Sequence, residues 1–104
     1  MKNYLRQKFK ARQPTHGLWV TLEAPTLTEI AVTMGLDWVC VEMEHGHLDF
    51  GDVMEHIRTV RGSQTTILVR VSENQQGLIK RVLDMGAHGV VVPLIQNAAE
   101  VEQA

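Results

Sequence analysis

The chain has 104 residues, of which 44% are hydrophobic, so its length suits one modest domain or a piece of a larger one. Its formal net charge of -2 gives no sign of nucleic-acid binding, and no apolar run reaches the roughly 18 residues of a membrane span. The single cysteine, Cys40, cannot form an internal disulfide, which favours a reducing cytoplasm as the location.

The first stretch of the chain is basic, but its Lys and Arg residues are interleaved with Tyr4, Leu5 and Phe9. It therefore lacks the continuous apolar core of a signal peptide and predicts a short amphipathic helix within residues 1–14. Beyond it, apolar runs alternate with helical patterns, which is the signature of βαβ units around a parallel sheet. The predicted strands cover residues 18–22, 38–43, 67–71 and 89–95, all mostly continuous apolar runs, as strands buried on both faces require.

Three helices are predicted between these strands, and a fourth begins within residues 97–104. The first opens at Pro25, shows capping-box spacing between Thr26 and Glu29, and ends at Gly35. The second begins near Asp49 or Asp52 and stops at residue 62, and the third follows residue 74 and stops at residue 86. The residues predicted to face inward are Leu27, Ile30, Ala31 and Met34 in the first helix, Val53, Ile57 and Val60 in the second, and Leu78, Ile79, Val82 and Leu83 in the third.

The number of strands decides the expected architecture. A barrel needs about eight strands for side chains to fill its interior, and an open sheet of four would leave its edges unpaired. We therefore expect residues 1–104 to form the N-terminal half of a (β/α)8 TIM barrel, within a protein roughly twice as long or more. A small flavodoxin-like sheet is the alternative, because strand order cannot be read from the sequence.

Polar residues follow two of the predicted strands, at the ends where parallel sheets bind ligands. Glu42, Glu44 and His45 follow the second strand, and Arg70 closes the third. His45 can serve there as a general base near neutral pH, or as a hydrogen-bonded structural histidine. An unpaired guanidinium is costly to bury, so Arg70 must meet either an internal carboxylate or an anionic ligand.

Other residues carry weaker signals. Asp84 lies in the last turn of the third helix, where a carboxylate opposes the helix dipole, so it has either another role or simple solvent exposure. His45 and His47 could offer only two metal ligands, with no third spaced to join them, which argues against a histidine-based metal site. Neither a dinucleotide-binding fingerprint nor a P-loop is present. Trp19 could belong either to the hydrophobic core or to the lining of a pocket. The histidines interpreted as surface or loop residues are His16, His56 and His88.

Several short motifs nevertheless occur in a recognisable order. They are Gly17-Leu18-Trp19, Gly35-Leu36-Asp37-Trp38-Val39, Glu44-His45-Gly46, Val69-Arg70-Val71, Leu83-Asp84-Met85-Gly86-Ala87, and Val92-Pro93 with Gln96-Asn97-Ala98. This succession resembles the HpcH/HpaI family of pyruvate aldolases, which are relatives of the citrate lyase β-subunit. The resemblance covers nearly all of the chain beyond about residue 15.

The resemblance implies a barrel enzyme, a class II 2-oxo acid aldolase. Such a carbon-carbon lyase reversibly cleaves 4-hydroxy-2-oxo acids to pyruvate and an aldehyde through a pyruvate enolate, with a divalent cation (Mg2+, Mn2+ or Co2+) as Lewis acid. The full-length family member is expected to be a homo-oligomer. By position, His45 matches the family's acid/base histidine, Asp84 the carboxylate paired with it, and Arg70 the arginine that steadies the pyruvate oxygen. Trp19 matches a family tryptophan near the substrate pocket.

Two departures qualify the match. Glu42 stands where the family commonly has an aspartate, and the family's metal-binding Glu and Asp come from later strands, beyond Ala104. No metal ligand is therefore expected in this chain, and residues 1–104 alone should show weak or no aldolase activity. Two alternatives remain. An acyl-CoA lyase of the citryl or malyl type would need a basic groove that the strand ends lack beyond Arg70, and a non-catalytic half-barrel would associate through its exposed strand edges.

Overall fold

The computed structural model describes residues 2–104 and alternates helices with strands. Residue 1, part of the predicted helical region 1–14, lies outside the described residues. The helices are α1 (Tyr4–Lys10), α2 (Pro25–Thr33), α3 (Phe50–Val60), α4 (Gln76–Met85) and α5 (Ala98–Gln103). The strands are β1 (Gly17–Val20), β2 (Trp38–Glu42), β3 (Thr66–Arg70) and β4 (Gly89–Val91).

The four strands form one parallel sheet in the order β1-β2-β3-β4. This confirms the predicted α/β class and the position of each strand. A doubly wound sheet reverses its strand order at a switch point, whereas here each strand lies beside the next one along the chain, as in a barrel. Within residues 2–104, β1 and β4 each have a neighbouring strand on one side only.

All four strands end earlier than predicted, β2 and β3 by one residue and β1 and β4 by more. β1 stops at Val20 rather than at Leu22, whose side chain is 56% exposed, and β4 stops at Val91 rather than at Ile95. In the second case Pro93 has no N–H to donate to a neighbouring strand, and Leu94 adopts the left-handed region with φ 56°. At the carboxyl ends of β1 and β4 the chain therefore leaves the sheet sooner than its apolar runs suggest.

The predicted capping of α2 is wrong, whereas the predicted start of α3 is confirmed. The N-cap of α2 is Ala24, with no side-chain hydrogen bond, so the predicted capping box of Thr26 is wrong. Pro25 occupies the start of the helix and already places Thr26 inside it. The capping box occurs instead at α3, where Asp49 and Asp52 exchange side-chain to backbone hydrogen bonds. No helix within the described part of the chain is long and apolar enough to cross a membrane.

Helix α2 buries only part of the predicted stripe. Leu27 and Ala31 pack on the core as expected, but Ile30 and Met34 are exposed by 50% and 69%, and Thr28 is fully buried. The reason lies in α3, where the ring of buried His56 hydrogen-bonds the Thr28 hydroxyl. The contact of α2 with α3 therefore includes a polar pair that hydrophobic periodicity does not predict.

The hydrophobic core lies between one face of the sheet and helices α2 to α4. Because side chains alternate along a strand, the opposite, concave face carries the residues in between. Cys40 is one of these; its burial raises the pKa of the thiol to about 12, which keeps it protonated and unreactive. The core residues are Val20, Val39, Val41, Ile67 and Val69 from the sheet and Ala31, Val53, Ile57, Val60 and Val82 from the helices.

Helix α1 covers the amino ends of the strands. Leu5 is 4% exposed, and its backbone N–H donates to the Thr66 hydroxyl. Lys8 pairs with Asp37 at the start of β2, and the hydrogen bond from Lys8 is the main cause that lowers the pKa of the Asp37 carboxyl. A cavity of about 490 Å³ lies between this helix and the strand starts.

Candidate active site

A polar cluster lies at the carboxyl ends of β2 and β3, on the concave face. Glu42 and Arg70 are register partners on these strands, and Arg70 Nη1 donates to Glu42 Oε2 at 3.0 Å. The indole Nε1 of Trp19 donates to the same oxygen at 3.0 Å, and the guanidinium lies 5.8 Å from the Trp19 ring centre. Strand alternation thus brings a carboxylate, a guanidinium and an aromatic ring from three strands to one mouth.

The second oxygen of Glu42 fixes the start of the β2–α3 loop. Glu42 Oε1 accepts from the backbone N–H of Glu44 at 2.7 Å and, more weakly, from that of His45 at 3.4 Å. Burial alone would raise the pKa of Glu42, but hydrogen bonds from Glu44, Trp19 and Arg70 outweigh it and lower the pKa. Glu42 is therefore an ionised, nearly fully buried anchor for both the loop and the guanidinium.

Glu44 links the two residues expected to carry the chemistry. Its Oε1 lies 3.2 Å from His45 Nε2, and its Oε2 lies 2.5 Å from Arg70 Nη2. That Oε2 is buried and makes no hydrogen bond of normal geometry, so its contact with Arg70 is an ion pair rather than a directed bond. The side chain of His45 is 73% exposed, which leaves the imidazole free at the mouth.

These contacts answer the question that the sequence left open for Arg70. It meets two internal carboxylates, those of Glu42 and Glu44, and its side chain keeps 26% exposure. One guanidinium faces two carboxylates, so the cluster carries a net negative charge. A further cation would be favoured electrostatically at this position.

Asp84 does not reach this cluster within one chain. It lies in the last turn of α4, which runs back from the carboxyl ends of the strands toward their amino ends. At 1.5 Å per residue, Asp84 lies about 12 Å below the first turn of that helix. Its side chain is exposed and lines a groove with Lys80 and Gln103. Within the described residues, the carboxylate that contacts His45 is that of Glu44.

The remaining histidines behave differently from one another. His47 Nε2 lies 3.7 Å from Glu23 Oε2 of the β1–α2 loop, at the rim of the mouth. The interpretation of His56 as a surface or loop residue is wrong, because it is fully buried on α3. His88 is partly buried and accepts a hydrogen bond from the Ile67 N–H at 3.1 Å. Burial lowers the pKa of both His56 and His88.

The described residues do not make a complete cation site. Between residues 2 and 104, no group of three or more His, Cys, Asp or Glu side chains could hold a metal ion. The excess carboxylate charge near Arg70 suits a cation, but Glu42 and Glu44 already bind the guanidinium. The divalent cation implied by the family resemblance therefore does not fit these residues alone.

The sequence places both carboxylates of this cluster, Glu42 and Glu44, at the end of the second strand but does not show which groups they pair with. In the structure Glu42 contacts Trp19, Arg70 and the β2–α3 loop. One signal could have indicated the pairing with Arg70. An acidic residue at the end of an apolar strand, beside a strand ending in arginine, would be expected to pair across the register.

Comparison with known proteins agrees with this geometry. The family model for HpcH/HpaI aldolase/citrate lyase matches residues 15–104. The chain belongs to the HpcH/HpaI family. Its relatives include the hydroxypyruvate/pyruvate aldolase of Paraburkholderia phytofirmans, 35% identical over 98% of this chain and 40% of the relative. The 5-keto-4-deoxy-D-glucarate aldolase of Escherichia coli is 31% identical over 98% of this chain and 40% of that protein.

Solved structures of HpcH/HpaI proteins show the same fold. A family member from Burkholderia cenocepacia superposes with a TM-score of 0.90 at 30% identity, over 98% of this chain and 41% of that chain. The chain therefore spans about 40% of the length of the relatives that it matches. Its four consecutive parallel βα units correspond to part of an aldolase barrel.

Proposed function

We propose that this chain forms part of a carbon-carbon lyase that reversibly cleaves 4-hydroxy-2-oxo acids to pyruvate and an aldehyde. The observation that carries the proposal is the convergence of His45 and Arg70 at one mouth, joined by Glu44. A base beside a cationic oxygen-binding group is the arrangement that enolate chemistry requires. Membership of the aldolase family supports the same reaction class.

In the proposed reaction, His45 acts as the acid/base. During cleavage His45 removes the proton of the substrate 4-hydroxyl. The bond between carbons 3 and 4 then breaks, and the electron pair of that bond moves into the pyruvate enolate. The aldehyde leaves, and a proton is returned to the enolate carbon to give pyruvate. The exposed imidazole, held by Glu44 through one nitrogen, is suited to this exchange of protons.

Arg70 would stabilise the negative charge that develops on the enolate oxygen. Its ion pairs with Glu42 and Glu44 hold the guanidinium in place before substrate binds. Part of the group stays exposed at the mouth, and a guanidinium has five N–H donors, so donors remain for the substrate. Trp19 forms the floor beside it and is proposed to contact the substrate.

Glu44 is proposed to orient His45 within the chain. The pairing of Asp84 with His45, as the family resemblance implies, is proposed to occur between two copies of the chain, since one copy keeps the two residues apart. A homo-oligomer is therefore part of the proposal, and a cytoplasmic location is expected for it.

The complete protein is proposed to require Mg2+, Mn2+ or Co2+, with ligands from outside residues 2–104. Such a cation would supply Lewis-acid activation of the 2-oxo acid. Because the described residues do not complete a cation site, residues 1–104 alone are expected to show little or no turnover. An acyl-CoA substrate is disfavoured because the cluster carries more carboxylates than cations, which would repel the phosphates of coenzyme A.

The test uses what we call the completed barrel: this chain followed by the portion of the Paraburkholderia aldolase that it does not match. Cleavage of a 4-hydroxy-2-oxo acid is followed by release of pyruvate, with and without Mg2+ or Mn2+. We expect cation-dependent cleavage by the completed barrel and none by the 104-residue chain. A completed barrel that unfolds cooperatively and binds the cation, yet releases no pyruvate, would overturn the proposal.

A further inference from the structure

A buried histidine outside the polar cluster joins three parts of the fold. His56, on α3, is fully buried, and both of its ring nitrogens have partners. Nδ1 lies 2.7 Å from the Thr28 hydroxyl on α2, and Nε2 lies 3.2 Å from the backbone carbonyl of Leu22 in the β1–α2 loop. One ring thus connects α3, α2 and a loop at the carboxyl end of the sheet.

The partners of His56 determine its tautomer. A backbone carbonyl can only accept, so Nε2 of His56 must carry the hydrogen and donate it to Leu22. Nδ1 then accepts from the Thr28 hydroxyl. Burial lowers the pKa of His56 and prevails over the Leu22 carbonyl and the Asp52 charge, which act in the opposite direction. The neutral Nε2–H form is therefore the one that the surroundings stabilise.

The loop that His56 holds borders the mouth of the site. Between residues 2 and 104, the His56 ring is the one side chain that donates a hydrogen bond to the backbone of residues 21–24. In this loop the Leu22 side chain is 56% exposed, and Glu23 reaches His47 on the neighbouring β2–α3 loop, which also carries His45. A shift of residues 21–24 would therefore move one wall of the mouth.

We propose that His56 is a positioning residue, whose Nε2–H bond to Leu22 fixes the β1–α2 loop as one wall of the mouth where the substrate binds. The inference rests on the proposed aldolase function. It assigns separate roles to the two hydrogen bonds of one ring: the Leu22 bond sets the loop, and the Thr28 bond holds α2 against α3. His56 contacts neither His45 nor Arg70, so its loss should affect substrate binding more than enolate formation.

Three variants separate these roles. His56→Asn keeps a polar atom near the Nδ1 position but cannot reach Leu22, whereas His56→Gln reaches the Nε2 position and keeps a donor there. Thr28→Val removes the other hydrogen bond of the ring at nearly constant side-chain shape. In the 104-residue chain, the backbone 15N order parameters of residues 21–24 should fall in His56→Asn and stay near the starting values in His56→Gln and Thr28→Val.

The same variants are then compared in the completed barrel. We expect His56→Asn to raise KM for the hydroxy-oxo acid about five- to tenfold with kcat changed less than twofold, and His56→Gln to restore KM. If Thr28→Val loosens the loop as much as His56→Asn does, or if His56→Gln fails to restore it, the role is packing alone and the inference is wrong. Long-range 15N NMR of the ring must also show the Nε2–H tautomer; the Nδ1–H form would contradict it.

The two proposals can fail separately. The proposed function would be refuted if the unsubstituted completed barrel neither cleaves the hydroxy-oxo acid nor exchanges the methyl protons of pyruvate with solvent. The tautomer and the backbone order parameters of residues 21–24 would still decide whether His56 positions the loop.

Discussion

Glu42 and Arg70 lie opposite each other on β2 and β3, and their side chains form an ion pair with a 3.0 Å separation on the concave face. The pair is not an isolated salt bridge, because Glu42 also holds the loop that carries His45. Its consequence is that the geometry of the base and of the guanidinium depends on one buried carboxylate.

The first prediction concerns that carboxylate. Glu42→Gln should lower the free energy of unfolding by about 1–3 kcal/mol, because it leaves a partly buried guanidinium with one anionic partner fewer. Glu42→Asp, which keeps the charge on a shorter side chain, should cost less. Urea denaturation measures both, with the exposed Glu29→Gln as the control, expected within about 0.5 kcal/mol of the starting protein. Equal midpoints for Glu42→Gln and Glu29→Gln would contradict the anchoring role.

A second prediction concerns pH. Burial lowers the pKa of His56 and of His88 in the folded chain, so both are neutral there while the unfolded chain still binds protons. The stability that they contribute is fully present above their unfolded pKa, near 6.5, and is lost as the pH falls toward their folded pKa. His56→Gln should reduce the slope of unfolding free energy against pH below about 6.5, and the exposed His47→Gln should leave it unchanged. The same slope in all three proteins would show that His56 does not couple folding to protons.

A third prediction separates the two candidate partners of His45. In dilute solution, Glu44→Gln should shift the ring resonances of His45, because the carboxylate lies 3.2 Å from Nε2. Asp84→Asn should leave them in place and stabilise α4 by a few tenths of a kcal/mol, since the charge opposes the helix dipole. At concentrations where copies associate, Asp84→Asn should begin to affect His45. An effect of Asp84→Asn that is independent of concentration would contradict the described separation.

A fourth prediction tests the covering helix. Leu5→Ala should destabilise the chain by about 2 kcal/mol or more, because Leu5 is 4% exposed beneath the strand starts. Phe9→Ala is the matched change on the same helix, and its side chain is 59% exposed, so a loss below about 0.5 kcal/mol is expected. Thermal unfolding of the two variants checks this contrast. Similar losses in both would mean that α1 does not seal the sheet through Leu5.

The sequence was informative wherever hydrophobic pattern and turn chemistry agree. The four strands, the end of α4 at Gly86 with φ 115° and the buried stripe of α3 follow from such local signals. The location of the site also follows, since residues at the carboxyl ends of parallel strands must lie at one mouth. Family resemblance then supplied roles that the residue types alone left open.

What the sequence could not supply is pairing between distant polar groups. The hydrogen bond of Thr28 to His56 joins buried residues on two helices, and the hydrophobic periodicity of neither helix predicts it. The preference of Arg70 for internal carboxylates depends on register, which fixes Glu42 opposite it. The separation of Asp84 from His45 depends on the direction of α4, a tertiary property.

The most direct measurement is exchange of the pyruvate methyl protons into deuterated water, followed by NMR with the completed barrel and Mg2+ or Mn2+. We predict exchange that requires the cation, falls at least about 100-fold in His45→Ala, and persists in the neighbouring His47→Ala. Loss in His45→Ala alone would establish His45 as the base that forms the enolate. Absence of exchange from the folded, cation-loaded protein, or undiminished exchange in His45→Ala, would contradict the account.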